Sequence, residues 1–188
     1  AEAFLRLYTA YREEQLALAE RRGPAPAAGV SEEGGGYDAN DPVAEVRRFL
    51  AARRNNFAAI DDAAERLAQA TSGASGFIER LKTRHKLQVR YMPPDVMLGS
   101  VRRLDVHRRQ LLLEDSLDTA SLNFQLAQQL AYLEFGSEIG AALDDNKFTS
   151  KNADLLARRA LAGYAAAAIV MPYAAFVRAA EPRRYAPE

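Results

Sequence analysis

The sequence contains no cysteine. Neither a disulfide nor a thiolate metal site can therefore form within it. Histidine is scarce, with His85 and His107 alone. An excess of one charge is also missing, because 25 Lys and Arg balance 25 Asp and Glu. That balance argues against a dedicated nucleic-acid-binding domain, although local basic patches stay open. No run of about 18 or more apolar residues occurs, so no membrane-spanning helix is expected. The nearest, Ala160 to Ala168, is alanine-rich and interrupted by Gly163. No signal peptide opens the chain, and the expected location is cytoplasmic. A glycine-rich phosphate loop and an internal repeat are both lacking.

What remains is a chain of 188 residues, 48% hydrophobic and 27% charged. That suits one domain with extensions, able to build a core and stay in solution. The first residues lack an initiator Met and enter directly into helical pattern, and "EPRRYAPE" ends on loop residues. The chain therefore reads as a segment of a larger protein.

Residues 1–22 read as a charged amphipathic connector helix, with Phe4, Leu7, Tyr8 and Tyr11 at helical spacing. Residues 23–41, rich in Gly, Pro, Ala and acid, read as a flexible linker. The main domain is expected over 42–188. It should open with one long helix from about Pro42 to Thr71, capped by Asp41 with Pro42 in its first turn. A second helix is predicted over about Gly76 to His85. The period then changes to alternation: "KLQVRYMP" places Leu87, Val89 and Tyr91 on one strand face. "PPDVMLGS" reads as a loop. "VRRLD" and "LLLED" read as strands joined around "VHRRQ". Helices return after a cap at Asp118 or Thr119. Ser150 caps the helix "KNADLLARRALAGYAAAAIV", which Met171 and Pro172 end. A last short helix is "YAAFVRAAE". The expected fold class is α+β, mostly helical, with a small two- to three-stranded sheet.

One helix raises a question. "FQLAQQLAYLEFG", Phe124 to Gly136, looks apolar nearly all round, yet Gln125, Gln128, Gln129 and Tyr132 recur at i, i+3, i+4 and i+7. That spacing puts all four on one helical face. A catalytic zinc helix of the HExxH type uses the same frame, with two His ligands four apart and a Glu base between them. Laid on this helix, the frame puts Gln128 and Tyr132 at the two His positions and Gln129 at the Glu. "FQLAQQLAY" resembles the equivalent helix of ImmA/IrrE-type metallopeptidases, and "LLLED" resembles the edge strand that precedes it. "LAGYAAAAIVMP" resembles the segment that supplies the family's glutamate ligand, with Leu161 in that glutamate's place. The resemblance implies a zincin-like core lacking the metal site, because a Gln amide, a phenol and an aliphatic side chain are poor zinc ligands. Neither a catalytic nor a metal-ligating residue is therefore expected. His85 and His107 read as ordinary surface residues, at a helix-to-strand junction and in a hairpin turn.

A narrower resemblance covers roughly Pro42 to Glu181. "VRRFLAARRNNFAAIDDAAERL", "QQLAYLEFG", "NKFTS", "LLARRALAGYAAAA" and "MPYAAF" together resemble the short-chain fatty acyl-CoA-responsive transcription regulators. These include mycobacterial regulators of propionate and glyoxylate metabolism and the propionyl-CoA carboxylase regulator of α-proteobacteria. Gly163 stands where that subfamily tends to have Asn. The resemblance implies a ligand-sensing domain that binds propionyl-CoA, acetyl-CoA or CoA, as ligand rather than cofactor. It also implies a homodimer, and contact with DNA only through an upstream domain.

An acyl-CoA needs Arg or Lys for its phosphates and a closed slot for its acyl tip. Without a glycine-rich loop, side chains must hold the phosphates. Arg158 matches the subfamily's "LAR" and is the first-choice contact, with Arg159 its less favoured neighbour. Arg53 and Asn55 match an "RxN" pattern before Asp61, and Lys147 lies in a turn. Tyr132 and Tyr164 are expected to face the old metal cleft, where Gln128 and Gln129 meet backbone or pantetheine amides. The run Lys82 to Lys86 reads as solvated surface. Ala165 to Ala168 read as close helix packing rather than a pocket. The competing function is a non-catalytic protein-interaction domain on an inactive peptidase scaffold.

Overall fold

The computed structural model describes residues 41–181, apart from 72 and 145. The expected connector helix over 1–22 lies outside the described residues, as does all of the expected linker except Asp41.

Helix α1 spans Pro42–Ala52, and the Asp41 carboxylate accepts from the Val43 N–H as its cap. The expected single helix does not continue to Thr71. It breaks after Ala52 and resumes as α2, Ala58–Ala70. Arg54 and Asn55 both take φ of 51° at the break. The aromatic core explains it. Phe49 and Phe57 are eight residues apart, which on a straight helix separates them by about 12 Å along the axis. The break instead stacks their rings with centroids 5.9 Å apart. Phe148 meets Phe49 at 5.4 Å and Tyr164 meets Phe57 at 5.3 Å, which extends the row.

Helix α3 runs Gly73–His85, three residues earlier than the sequence suggests. Strand β1 is Gln88–Met92. The expected loop after it holds one helical turn, α4, Pro94–Met97, which buries Met97. Strands β2, Arg102–Asp105, and β3, Gln110–Glu114, form the hairpin. The sheet order is β1-β3-β2, with β1 parallel to β3 and β2 antiparallel to it. The strand "LLLED" is therefore central rather than the edge that its resemblance implied, and β1 and β2 are the two edges. Paired strand residues share a face, so Val89, Leu111 and Leu104 align, as do Tyr91, Leu113 and Arg102. Leu111 and Leu113 are fully buried on that face, while Tyr91, although in line, is exposed.

Helix α5, Thr119–Glu134, is capped by Asp118, whose carboxylate accepts from the Ser121 N–H. Helix α6 is Gly136–Asp144. Helix α7, Lys151–Val170, is capped by the Ser150 hydroxyl and ends before Met171, and α8 is Tyr173–Ala180. Helix α7 packs against α5, α2 and α1, and the sheet adjoins α3. Small side chains let α5 and α7 approach: Ala127 and Ala131 on one, Ala162, Ala165 and Ala166 on the other, all fully buried. Leu126, Leu130 and Leu161 fill the same core. Each such leucine contributes about 1.5–3 kcal/mol by leaving water. The result is the expected mostly helical α+β domain with a three-stranded sheet.

Helix α5 is also fastened to α3. Glu134 accepts two hydrogen bonds from Arg80, at 2.8 and 2.7 Å, and faces His85 Nε2 at 2.8 Å. Its side chain is only 9% exposed. Burial alone would raise its pKa, but the hydrogen bonds from Arg80 and His85 and the charges of Arg80 and Arg84 outweigh that and hold it down at about 2. His85 is thus a half-buried partner of Glu134, not the surface residue expected. Arg80 and His85 turn inward beside a run whose Lys82, Arg84 and Lys86 remain exposed.

Candidate ligand-binding cleft

The polar stripe of α5 opens into a cleft of about 640 Å³. Gln125, Gln128, Gln129 and Tyr132 all line it, so helical spacing does bring them together. The stripe is a wall, not a set of polar residues stranded in the core. Only Gln129 is buried, at 4% exposure, while Tyr132 is 42% exposed. The opposing wall is β2 and the turn before it, and Arg159 of α7 completes the lining.

Arg102 reaches this cleft from β2. Its Nη1 lies 3.4 Å from Gln129 Oε1 and 3.5 Å from the Gln125 carbonyl, long contacts for hydrogen bonds. Its guanidinium carbon sits 5.3 Å from the Tyr132 ring centroid, within cation–π range. Burial pushes the Arg102 pKa down, the Tyr132 side chain works against that, and the Arg159 charge adds to it. Gly163 lies behind Gln128: a Cβ placed on it would stand 3.7 Å from the Gln128 amide nitrogen. Arg159 is one helical turn before Gly163, which explains why it shares the α5-facing side.

The other expected contacts lie elsewhere. Arg158 pairs with Asp154 at 2.9 Å across one turn of the exposed face of α7. Leu161 is fully buried and does not line the cleft. Tyr164 points the other way, where its hydroxyl donates to Asp61 Oδ2 at 2.9 Å. Burial and the Asp61 carboxylate push its pKa up to about 12. It lines a second, acidic cavity of about 350 Å³ with Asp61, Asp62 and Glu65. Ala167 and Ala168 line that cavity as well, so only Ala165 and Ala166 serve close packing alone. Arg53 ends α1 with its guanidinium 4.2 Å from the Phe49 ring centroid. Asn55 is exposed in the α1–α2 break, and Lys147 is exposed beside Phe148, which packs on the same Phe49. Gln128, Gln129 and Tyr132 therefore share one site, Tyr164 belongs to another, and Arg53, Asn55 and Lys147 lie near a third surface.

Arg102 was missed by sequence reasoning. "VRRLD" announces a strand, but which arginine faces inward depends on pairing with β3. Arg159 had a local signal, its place four residues before Gly163 on the α5-facing side.

Residues 82–188 match the IrrE N-terminal-like domain family, Peptidase_M78. The chain belongs to that family. It is also 38% identical over 148 residues to the HTH-type transcriptional regulator RamB of two Mycobacterium tuberculosis strains, CDC 1551 and H37Rv. The match covers 77% of this chain and 31% of each relative, so the chain spans about a third of their length. A solved Mycobacterium tuberculosis transcriptional regulator is 31% identical, with a TM-score of 0.71, covering 77% of this chain and 45% of that one. The family name implies a peptidase metal. The Gln128 amide, the Tyr132 phenol and the buried Leu161, which the resemblance places at the three ligand positions, do not fit a catalytic zinc. Among the described residues, no group of three or more His, Cys, Asp or Glu is arranged to hold a metal ion. Nor is any described helix long and apolar enough to cross a membrane.

Proposed function

We propose that this chain is the ligand-sensing part of a transcription regulator, that it is not an enzyme, and that its ligand is a short-chain acyl-CoA or CoA. The observation that carries the reading is the cleft over α5. It combines amide hydrogen-bonding groups from Gln125, Gln128 and Gln129, an aromatic face from Tyr132 and two guanidinium groups. These are the groups that a ligand with a polar amide chain and anionic phosphates requires. The similarity to RamB supports the regulatory part. In this reading, the full-length protein acts as a homodimer, and ligand binding favours one arrangement of the DNA-binding domains over another. The controlled genes would serve short-chain acyl and propionate metabolism.

The test is thermal unfolding with CoA, acetyl-CoA and propionyl-CoA. A ligand at a thousand times its Kd stabilises by about 4 kcal/mol. For a domain of this size that raises Tm by roughly 10 °C. Absence of a shift with every CoA species removes the sensor reading and favours the protein-interaction scaffold.

A further inference from the structure

The unusual feature of the cleft is its charge. Arg102 from β2 and Arg159 from α7 come from elements far apart in sequence, yet line one space. No Asp or Glu lines it with them. Among the described residues neither guanidinium has an ion-pair partner. Elsewhere the fold handles such groups differently: Arg80 is met by Glu134 through two short hydrogen bonds, and Arg158 by Asp154. Arg102 instead has one amide oxygen and one carbonyl at long range, and the face of a phenol ring. A half-buried Arg102 beside the like charge of the exposed Arg159 costs free energy that an anion between them would recover. A guanidinium offers a planar fork of donors, suited to phosphoryl oxygens.

We propose that Arg102 and Arg159 form a clamp for a phosphoryl group, and that this group enters the cleft beside the α5 glutamines. The identity of the phosphate ester rests on the sensor reading above; the clamp itself rests on the two arginines. A phosphoryl group is preferred over a lone carboxylate because two cations face it and it can carry two charges. The acidic cavity beside Tyr164 has the opposite character, since Asp61, Asp62 and Glu65 repel a phosphate. The ligand's anionic end is thereby assigned to one side of the domain.

Calorimetric titration of the whole chain tests this with four probes: CoA, pantetheine, pyrophosphate and acetate. Pantetheine carries the polar chain of CoA without its phosphates. Arg102→Gln and Arg159→Gln are each expected to weaken CoA by about 10-fold, the value of one charge-assisted contact. The double variant should lose more and bind pantetheine as the parent does. Pyrophosphate should bind the parent and not the double variant, and acetate should bind neither. Arg108→Gln, exposed in the hairpin turn, controls for a general loss of charge. Should Arg102→Gln fail to fold by circular dichroism, Arg159→Gln, on an exposed position, carries the test alone. Parent-like CoA affinity in the double variant overturns the clamp and leaves the sensor reading standing. Pyrophosphate binding that depends on both arginines, without binding of any CoA species, keeps the clamp and removes the sensor reading. No binding of either pyrophosphate or CoA overturns the clamp, and acetate binding equal to pyrophosphate overturns its preference for phosphoryl groups.

Discussion

Gly163 shows how much a single position depends on its surroundings. Glycine within a helix costs about 1 kcal/mol against alanine, because the unfolded chain has more freedom to lose. The glycine would be justified if a side chain met its neighbours, but the nearest atom to an added Cβ is the Gln128 amide nitrogen at 3.7 Å, an ordinary contact. Gly163→Ala should therefore stabilise by roughly 0.5–1 kcal/mol and raise Tm by about 1–4 °C in a calorimetric scan. A fall in Tm would mean that α5 and α7 approach more closely than this spacing implies. The same scale explains why Arg159, rather than the first-choice Arg158, lines the cleft. Asp154 and Arg158 are four apart, a legible ion pair, and a residue so paired is drawn away from a neighbouring cleft.

At the scale of elements, the joint between α3 and α5 rests on one carboxylate. Glu134→Gln keeps the shape but leaves Arg80 facing a neutral amide, with weaker hydrogen bonds where a charge had been. The expected loss is about 2–4 kcal/mol, measured by urea unfolding with an unchanged m-value. A loss below about 0.5 kcal/mol would show that the joint is held by packing alone. The helices themselves were largely legible, because their signals are local. Asp41, Asp118 and Ser150 each cap the helix that follows, as their side chains and positions suggested. The break between α1 and α2 was not legible. "AARRNNF" contains neither Gly nor Pro, and its only hint is Asn55, a residue type that tolerates positive φ. The cause is the meeting of Phe49 with Phe57 and Phe148, the last nearly a hundred residues away in sequence.

For the whole molecule, the Glu134 cluster sets a response to acid. Its pKa is held at about 2 in the folded protein, below its ordinary 4.5. Between these values the unfolded chain binds more protons, so stability rises with pH. The contribution, about 3 kcal/mol, is fully present above the unfolded value and lost as pH falls from about 4.5 to about 2. Chemical denaturation across that window should show the parent losing stability toward Glu134→Gln, with the difference between them closing at the acid end. Parallel curves would assign the acid sensitivity to other carboxylates.

The sequence by itself determined most of the helices, the caps at Asp41, Asp118 and Ser150, the alternation of the strands and the polar face of α5, since each depends on neighbours within a turn or two. Its resemblance to the IrrE-type frame located the wall of the cleft at Gln128, Gln129 and Tyr132. The tertiary structure alone decided the order of the strands, the exchange of Tyr164 for Arg102 at the site and the pairing of His85 with Glu134. Those outcomes depend on which surfaces meet across long stretches of chain. β1 pairs with β3 rather than β2, and a half-buried arginine faces a cleft only after that register is fixed. Such pairings arise from the packing of the whole core, which no local pattern encodes.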